Sequence, residues 1–377
     1  MRALAALATL TLLAGCSSAT SSPATRALRM RMPRAAHTAT LMDDGRVLLA
    51  GGCATKACHR ATRTTELFDG ERFRAGPQLA SPREGHTATP LVKGGVLLAG
   101  GYAREGGRPI ASAELVTGRG ARPVGALSTP RARHVAVALI TDTGRGGIVL
   151  GDVRSSVLVA GGAGADGRPL RSAEVYDAEG RRWRAVAPMH HARVDATATL
   201  LAHRHKVLVT GGIGPGGAAT TSAELFDPAT GQWTETAPMQ TARAGHGAIA
   251  LEERVLVLGG VSGEQGDALD SAELYDGEIR SDAYQTWAPE GRMAAARTGI
   301  AGSVSRVTGR DPIVAGGAPA IERYEVIARR FSTVAPTAGD RRLDTATALW
   351  SADTLVAGGF ARNDRPTAAA TLVAASP

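Results

Sequence analysis

Short apolar runs closed by a pair of glycines are the most regular feature of the chain. Val47-Leu48-Leu49-Ala50, Val96-Leu97-Leu98-Ala99, Val157-Leu158-Val159-Ala160 and Val255-Leu256-Val257-Leu258 are typical. Runs this short, apolar at every position and bounded by glycine, predict buried strands, and no long helical period is visible anywhere. The closing Gly-Gly pair recurs seven times, at 51, 100, 161, 211, 259, 316 and 358, with spacings of 49, 61, 50, 48, 57 and 42 residues. A period of that length predicts a structure assembled from one repeated supersecondary unit.

Other positions recur in a fixed order around each pair. An Arg, often followed by a His, lies upstream, and a Ser-Ala-Glu strand, an aromatic residue and a Pro-Met pair lie downstream. Ser172-Ala173-Glu174-Val175-Tyr176-Asp177 leads to Trp183 and Pro188-Met189. Ser222-Ala223-Glu224-Leu225-Phe226-Asp227 leads to Trp233 and Pro238-Met239, and Ser271-Ala272-Glu273-Leu274-Tyr275-Asp276 leads to Trp287.

In these elements the chain resembles the kelch family, over nearly all of residues 25–377. The resemblance implies an all-β fold, a seven-bladed β-propeller with four antiparallel strands per blade around a central channel. The seventh unit ends after Ala369-Ala370-Thr371-Leu372-Val373, one strand short, while the segment from Arg26 to Pro33 resembles a fourth strand. The N-terminal strand is therefore expected to complete the last blade, which would leave no open edge.

An arginine opens every unit, at Arg34, Arg83, Arg131, Arg193, Arg243, Arg297 and Arg341. Family geometry gathers these into a ring on the face where blades connect, and two readings stand. The ring is a candidate anion-binding rim, or each arginine pairs with a third-strand glutamate of its own or a neighbouring blade: Glu66, Glu114, Glu174, Glu224, Glu273 or Glu322. A partly buried bidentate pair would be structural. Arg341 alone has Thr371 near the glutamate position.

His37, His86, His134 and His246 stand three residues after the arginine, with Ala196, Ile300 and Asp344 in the other units. Equivalent positions of different blades are spread around a ring and do not converge on one ion at bonds of about 2 Å. Hydrogen bonding inside the fold is expected of them, and no metal. The kelch resemblance brings in the copper radical oxidases, which need a Cys-linked Tyr, a second Tyr and paired His. Here Tyr176, Tyr275 and Tyr324 fall on the repeated aromatic position, leaving Tyr102 and Tyr284. With neither Gly-x-Ser-x-Gly nor His-Glu-x-x-His present, no catalytic residue and no cofactor is assigned.

The N-terminus changes the setting. Arg2 and the apolar run Ala3 to Ala14 have the layout of a secretory signal, and a dozen apolar residues fall short of the roughly 20 a membrane-spanning helix needs. Leu13-Ala14-Gly15-Cys16 resembles the lipobox of bacterial lipoproteins. That resemblance implies removal of residues 1–15, lipidation of Cys16, a flexible tether over 16–24 and a propeller over 25–377. The expected location is the cell envelope, anchored through lipid, with the outer membrane or periplasmic face favoured because Ser17 replaces the Asp associated with inner-membrane retention.

Setting Cys16 aside leaves Cys53 and Cys58 in one loop. An exported chain can oxidise that pair, so a disulfide is expected; a two-thiolate metal site would have His59 as its nearest further ligand. Without the leader, Lys+Arg is 42 against 35 Asp+Glu. The excess is modest, nearly all arginine and scattered, which argues against nucleic acid as a partner.

Individuality lies in the loops, since a repeat scaffold holds its strands constant. Cys53 to Arg63 is basic, and with Tyr102 to Arg108, Arg104 included, it forms a candidate binding rim. The third unit inserts Thr141 to Ser156, and the fifth lengthens the turn from Gly277 to Tyr284. The leading expectation is a monomeric, non-catalytic binding scaffold for an envelope protein or glycan. The rival is an exported carbohydrate-processing enzyme, mutarotase- or epimerase-like, with Arg and His working at the central channel mouth.

Overall fold

Each apolar run that precedes a glycine pair becomes the second strand of a four-stranded antiparallel sheet. The computed structural model describes residues 25–374 apart from 93, 105, 142–153, 203, 252–253, 264–265, 278–285, 304–310, 319, 337–345, 351–352 and 362. Blade 1 consists of Thr38–Leu41, Val47–Ala50, Thr65–Phe68 and Phe73–Ala75, paired in that order. Seven such sheets form a β-propeller. The expected lipidation site Cys16 and its tether lie outside the described residues.

The continuous apolar character of the second strands follows from their place between two neighbours. Val47 and Leu49 turn toward blade 7, whereas Leu48 and Ala50 turn toward blade 2. Side chains alternate across a strand, so a strand buried on both faces must be apolar at every position. One apolar cluster occupies each of the seven seams between blades. First strands line the axis and use small residues, as in Thr38–Leu41 (TATL) and Thr197–Leu201 (TATLL), because space tapers there. Fourth strands form the rim, and Arg182–Val186 or Gln232–Thr236 alternate with exposed polar groups.

Aromatic residues expected on strands three and four meet across that pair. Ring centroids of Tyr176 and Trp183, Phe226 and Trp233, and Tyr275 and Trp287 lie 5.1, 4.9 and 5.1 Å apart. The indole N–H of Trp233 and of Trp287 also donates to a carbonyl of the preceding blade, Ala187 and Ala237, each at 2.8 Å.

The ring closes as the sequence predicts. Thr25–Arg29 pairs antiparallel with Ala369–Val373, in the register Arg26 to Leu372, and becomes the fourth strand of blade 7. Leu28 and Met30 thereby join the cluster at the blade 7–1 seam.

Two blades depart from the common plan. The insertion of unit three grows from the tip of a lengthened hairpin, Val135–Thr141 with Arg154–Ala160; residues 142–153 between them are not described. In blade 5 the loop after the second strand continues as a ladder, Val261–Ser262 against the start of Asp267–Asp276. In five other blades the equivalent contact is an isolated bridge, to Ala61, Pro109, Pro169, Ala219 or Pro366.

Candidate functional site

The repeated arginines among the described residues are buried inside the blades and bonded through their Nη atoms. Arg193 is typical: Nη1 donates to the carbonyls of Gly211 at 2.8 Å and Ser222 at 3.0 Å, and Nη2 to the Ser222 hydroxyl at 2.9 Å and Glu224 at 2.7 Å. The opposite carboxylate face of Glu224 accepts the backbone N–H groups of His190 and His191. This bracket ties the connector entering each blade to its second and third strands, and it explains why Ser-Ala-Glu recurs as a unit. Burial acts to raise the Glu224 carboxyl, yet the His190 N–H and the Arg193 charge hold it below the usual carboxylate range.

Arg34, Arg83, Arg131, Arg243 and Arg297 repeat the pairing with Glu66, Glu114, Glu174, Glu273 and Glu322, always within the same blade. All six arginines are 0–1% exposed. That burial removes Arg34, Arg83, Arg131, Arg193, Arg243 and Arg297 from the anion-binding rim that was one reading of the ring. Arg341 lies outside the described residues.

The histidines are seam residues. The Nε2 atoms of His86, His134 and His246 lie 3.2, 2.9 and 2.9 Å from the hydroxyls of Thr38, Thr87 and Thr197 in the preceding blade. Each ring packs on the first glycine of that blade's pair, and a Cβ built on Gly51, Gly100 or Gly211 would sit 2.7–2.9 Å from Cε1 of His86, His134 or His246. Burial, reinforced by the adjacent arginine charge, pushes His37, His134 and His246 down to about 3 and His86 well below its ordinary value. They are neutral packing groups, each in a different blade.

The connectors meet at the axis in a run of backbone hydrogen bonds. Gly299 N–H donates to Gly245, Gly245 to Asp195, Asp195 to Arg133 and Arg133 to Gly85. These residues stand two positions after a ring arginine and have positive φ, which Arg133 (53°) and Asp195 (55°) adopt without being glycine. Arg133 Nε donates to Asp195 at 2.8 Å, forming an ion pair at the channel mouth. Tyr102 lies beside it, its backbone bridged to Glu84; burial raises its hydroxyl while the Arg133 charge opposes that shift. Arg133 and Asp195 vary between repeats and carry no motif, so sequence reading passed over them.

Off the axis, the loops after the second strands of blades 1 and 2 enclose a groove of about 700 Å³. Exposed Arg60 and Arg63 stand on one loop and exposed Arg104 and Arg108 on the other, with partly buried Ala61, Thr62, Pro82 and Ala103 between them. The blade 1 loop is closed by a Cys53–Cys58 disulfide with Cα atoms 5.1 Å apart, within the usual range. Cys53 bridges Ala35 and Ala61, and the Ala61 N–H reaches the Ala103 carbonyl at 3.4 Å, joining the two loops. Arg104 therefore lines this groove, whereas Tyr102 sits nearer the axis. The two loops expected to form one rim do meet here, and Arg60, Arg63 and Arg108 join Arg104 in lining the groove between them.

The kelch motif matches residues 153–190 and 196–240. A fungal alcohol oxidase of the AA5 family, solved in complex with copper, superposes with a TM-score of 0.68 over 94% of this chain and 76% of that one, at 13% identity. YjhT superposes with a TM-score of 0.57 over 92% of this chain and 96% of that one, at 12% identity. No curated protein matches the chain. Residues 153–190 and 196–240 thus carry the kelch motif, and the fold is a β-propeller similar to those of these two solved structures.

The described residues do not fit a copper centre. Cys53 and Cys58 are bonded to each other, and Tyr176, Tyr275 and Tyr324 are buried in aromatic pairs. Among the described residues no three His, Cys, Asp or Glu side chains are grouped so as to hold a metal ion. Tyr284 lies outside the described residues.

Proposed function

We propose that the protein is a lipid-anchored binding scaffold of the cell envelope, recognising a protein or glycan through the loop face of its propeller without catalysing a reaction. One observation carries this reading. The repeated Arg, Glu and His residues that a catalytic centre would recruit are buried in the framework, while Arg60, Arg63, Arg104 and Arg108 stand exposed around one groove on the non-repeated loops of blades 1 and 2. The lipobox-like Leu13-Ala14-Gly15-Cys16 supports the anchored setting.

The rival, a mutarotase- or epimerase-like enzyme, would draw on Tyr102, Arg133 and Asp195 among the described residues at the channel mouth, where Arg133 and Asp195 already neutralise each other.

Crosslinking in intact cells followed by pull-down of the tagged full-length chain tests the proposal. A partner or saccharide retained near one-to-one, and a shift from membrane to soluble fractions in Cys16→Ser, are the expected results. Turnover of a sugar substrate abolished by Asp195→Asn, with nothing retained, would favour the rival.

A further inference from the structure

The groove between the loops of blades 1 and 2 suits one ligand chemistry, and we infer that it is an acidic polysaccharide site, binding a saccharide chain that carries carboxylate or sulfate groups. This rests on the binding-scaffold reading and names its ligand class.

Charge is the first argument. Arg60, Arg63, Arg104 and Arg108 line one groove, and none of the four guanidinium groups has a hydrogen-bond or ion-pair partner among the described residues. Several other surface arginines are paired with a carboxylate, Arg133 with Asp195, Arg292 with Asp270 and Arg329 with Glu290, whereas these four share one groove. Four like charges lining one groove repel one another, and an anionic ligand relieves that repulsion. The planar guanidinium fork matches carboxylate and sulfate oxygens two at a time.

Built geometry is the second. The disulfide, the Cys53 bridges and the Ala61–Ala103 contact hold one loop against the other. Gly107 adds to this, because a Cβ there would lie 2.9 Å from Cγ of Arg104; its absence lets the Arg104 side chain fold across its own loop. A preorganised site loses less freedom on binding.

Shape selects the class of anion. Cations on both loops are matched by anionic groups repeated along a chain and not by one small ion. Among the described residues, Ala61, Thr62, Pro82, Ala103 and Gly107 lie between the arginines and provide no deep apolar pocket for the aromatic or aliphatic anchors that dominate protein interfaces. A hydroxylated chain with regularly spaced acidic groups meets both conditions.

Labelled polygalacturonate, heparin, neutral dextran and poly-glutamate are titrated against the full-length chain in detergent. The acidic saccharides are expected to bind, about tenfold more weakly at 300 mM than at 50 mM salt, and dextran is not. Arg60→Gln/Arg104→Gln, one change on each loop, should weaken binding about tenfold, while Arg119→Gln/Arg184→Gln, with the same loss of charge at exposed positions elsewhere, leaves it unchanged. Equal melting temperatures of the two variants show that both are folded. Dextran or poly-glutamate binding as tightly as polygalacturonate, or equal loss in the two variants, overturns the assignment. A stoichiometric cellular partner together with no binding of either acidic saccharide would end this inference and leave the scaffold reading intact; absence of both ends the two together.

Discussion

At the residue scale, the Arg–Glu bracket is an ion pair shielded from water on both sides. Exposed pairs contribute about 0–1 kcal/mol, whereas removing one member of a buried pair costs about 3–5 kcal/mol, because the other charge stays behind unpaired. Glu224→Ala would leave Arg193 without its carboxylate and two backbone N–H groups without an acceptor. Asp270→Ala would remove the partner of Arg292, which is 73% exposed in its side chain. Urea unfolding should separate these by at least about 2 kcal/mol; equal losses would show that the bracket is dispensable. The buried histidines supply a pH dependence whose sign is fixed. Their folded pKa values lie near 3, below the unfolded value of 6.5, so the unfolded chain binds protons that the folded chain refuses. Stability is therefore full above about pH 6.5 and falls with pH through the window down to about 3, by up to about 1.4 kcal/mol per unit for each histidine. Melting temperature should drop between pH 7 and pH 5, and less so in His246→Asn. A flat profile in the parent protein would contradict this account.

Elements explain why the glycine pair recurs. Gly211 has φ +60°, and a Cβ on it would lie 2.3 Å from the Arg243 carbonyl and 2.7 Å from the His246 ring. The N–H of Gly212 donates to that same carbonyl at 2.9 Å, so turn and seam share one contact. Gly211→Ala should lower the melting temperature by several degrees, whereas Gly216→Ala, where nothing lies within 4 Å, should change it by less than about one. Comparable effects at the two positions would mean that the close approach is not what requires glycine. Strand order and blade number were legible in the chain because a Cβ-free pair and an apolar run recur in all seven units and a third-strand glutamate in six of them. The groove was legible only in part. The two loops were expected to share a rim and Arg104 was named on it, but that Arg60, Arg63 and Arg108 face the same groove arises from blade packing, to which no repeated position testifies. Arg133 and Asp195 were missed for the same reason, since they occupy a connector position filled by Gly85, Gly245 or Gly299 in other blades.

For the whole molecule, stability depends on the circle being closed. Seven seams each bury an apolar cluster, and the one between blades 7 and 1 is completed by residues from opposite ends of the chain. A protein beginning at Pro33 would lose the Thr25–Arg29 strand, withdraw Leu28 and Met30 from that seam, and take from Glu66 the N–H groups of Arg31 and Met32. The two apolar side chains alone account for about 3–5 kcal/mol, and the exposed edge of Ala369–Val373 becomes a template for pairing with another copy. We expect this truncation to melt at least about 5 °C below the parent, to form dimers or larger species by light scattering, and to recover in both respects when a peptide of residues 24–33 is added in trans. A truncated protein that stays monomeric with an unchanged melting temperature would mean that blade 7 is stable with three strands. Recovery by the peptide would instead show that the seam needs only the strand itself and not its covalent connection to blade 1, as a ring built from pairwise contacts between neighbouring blades requires.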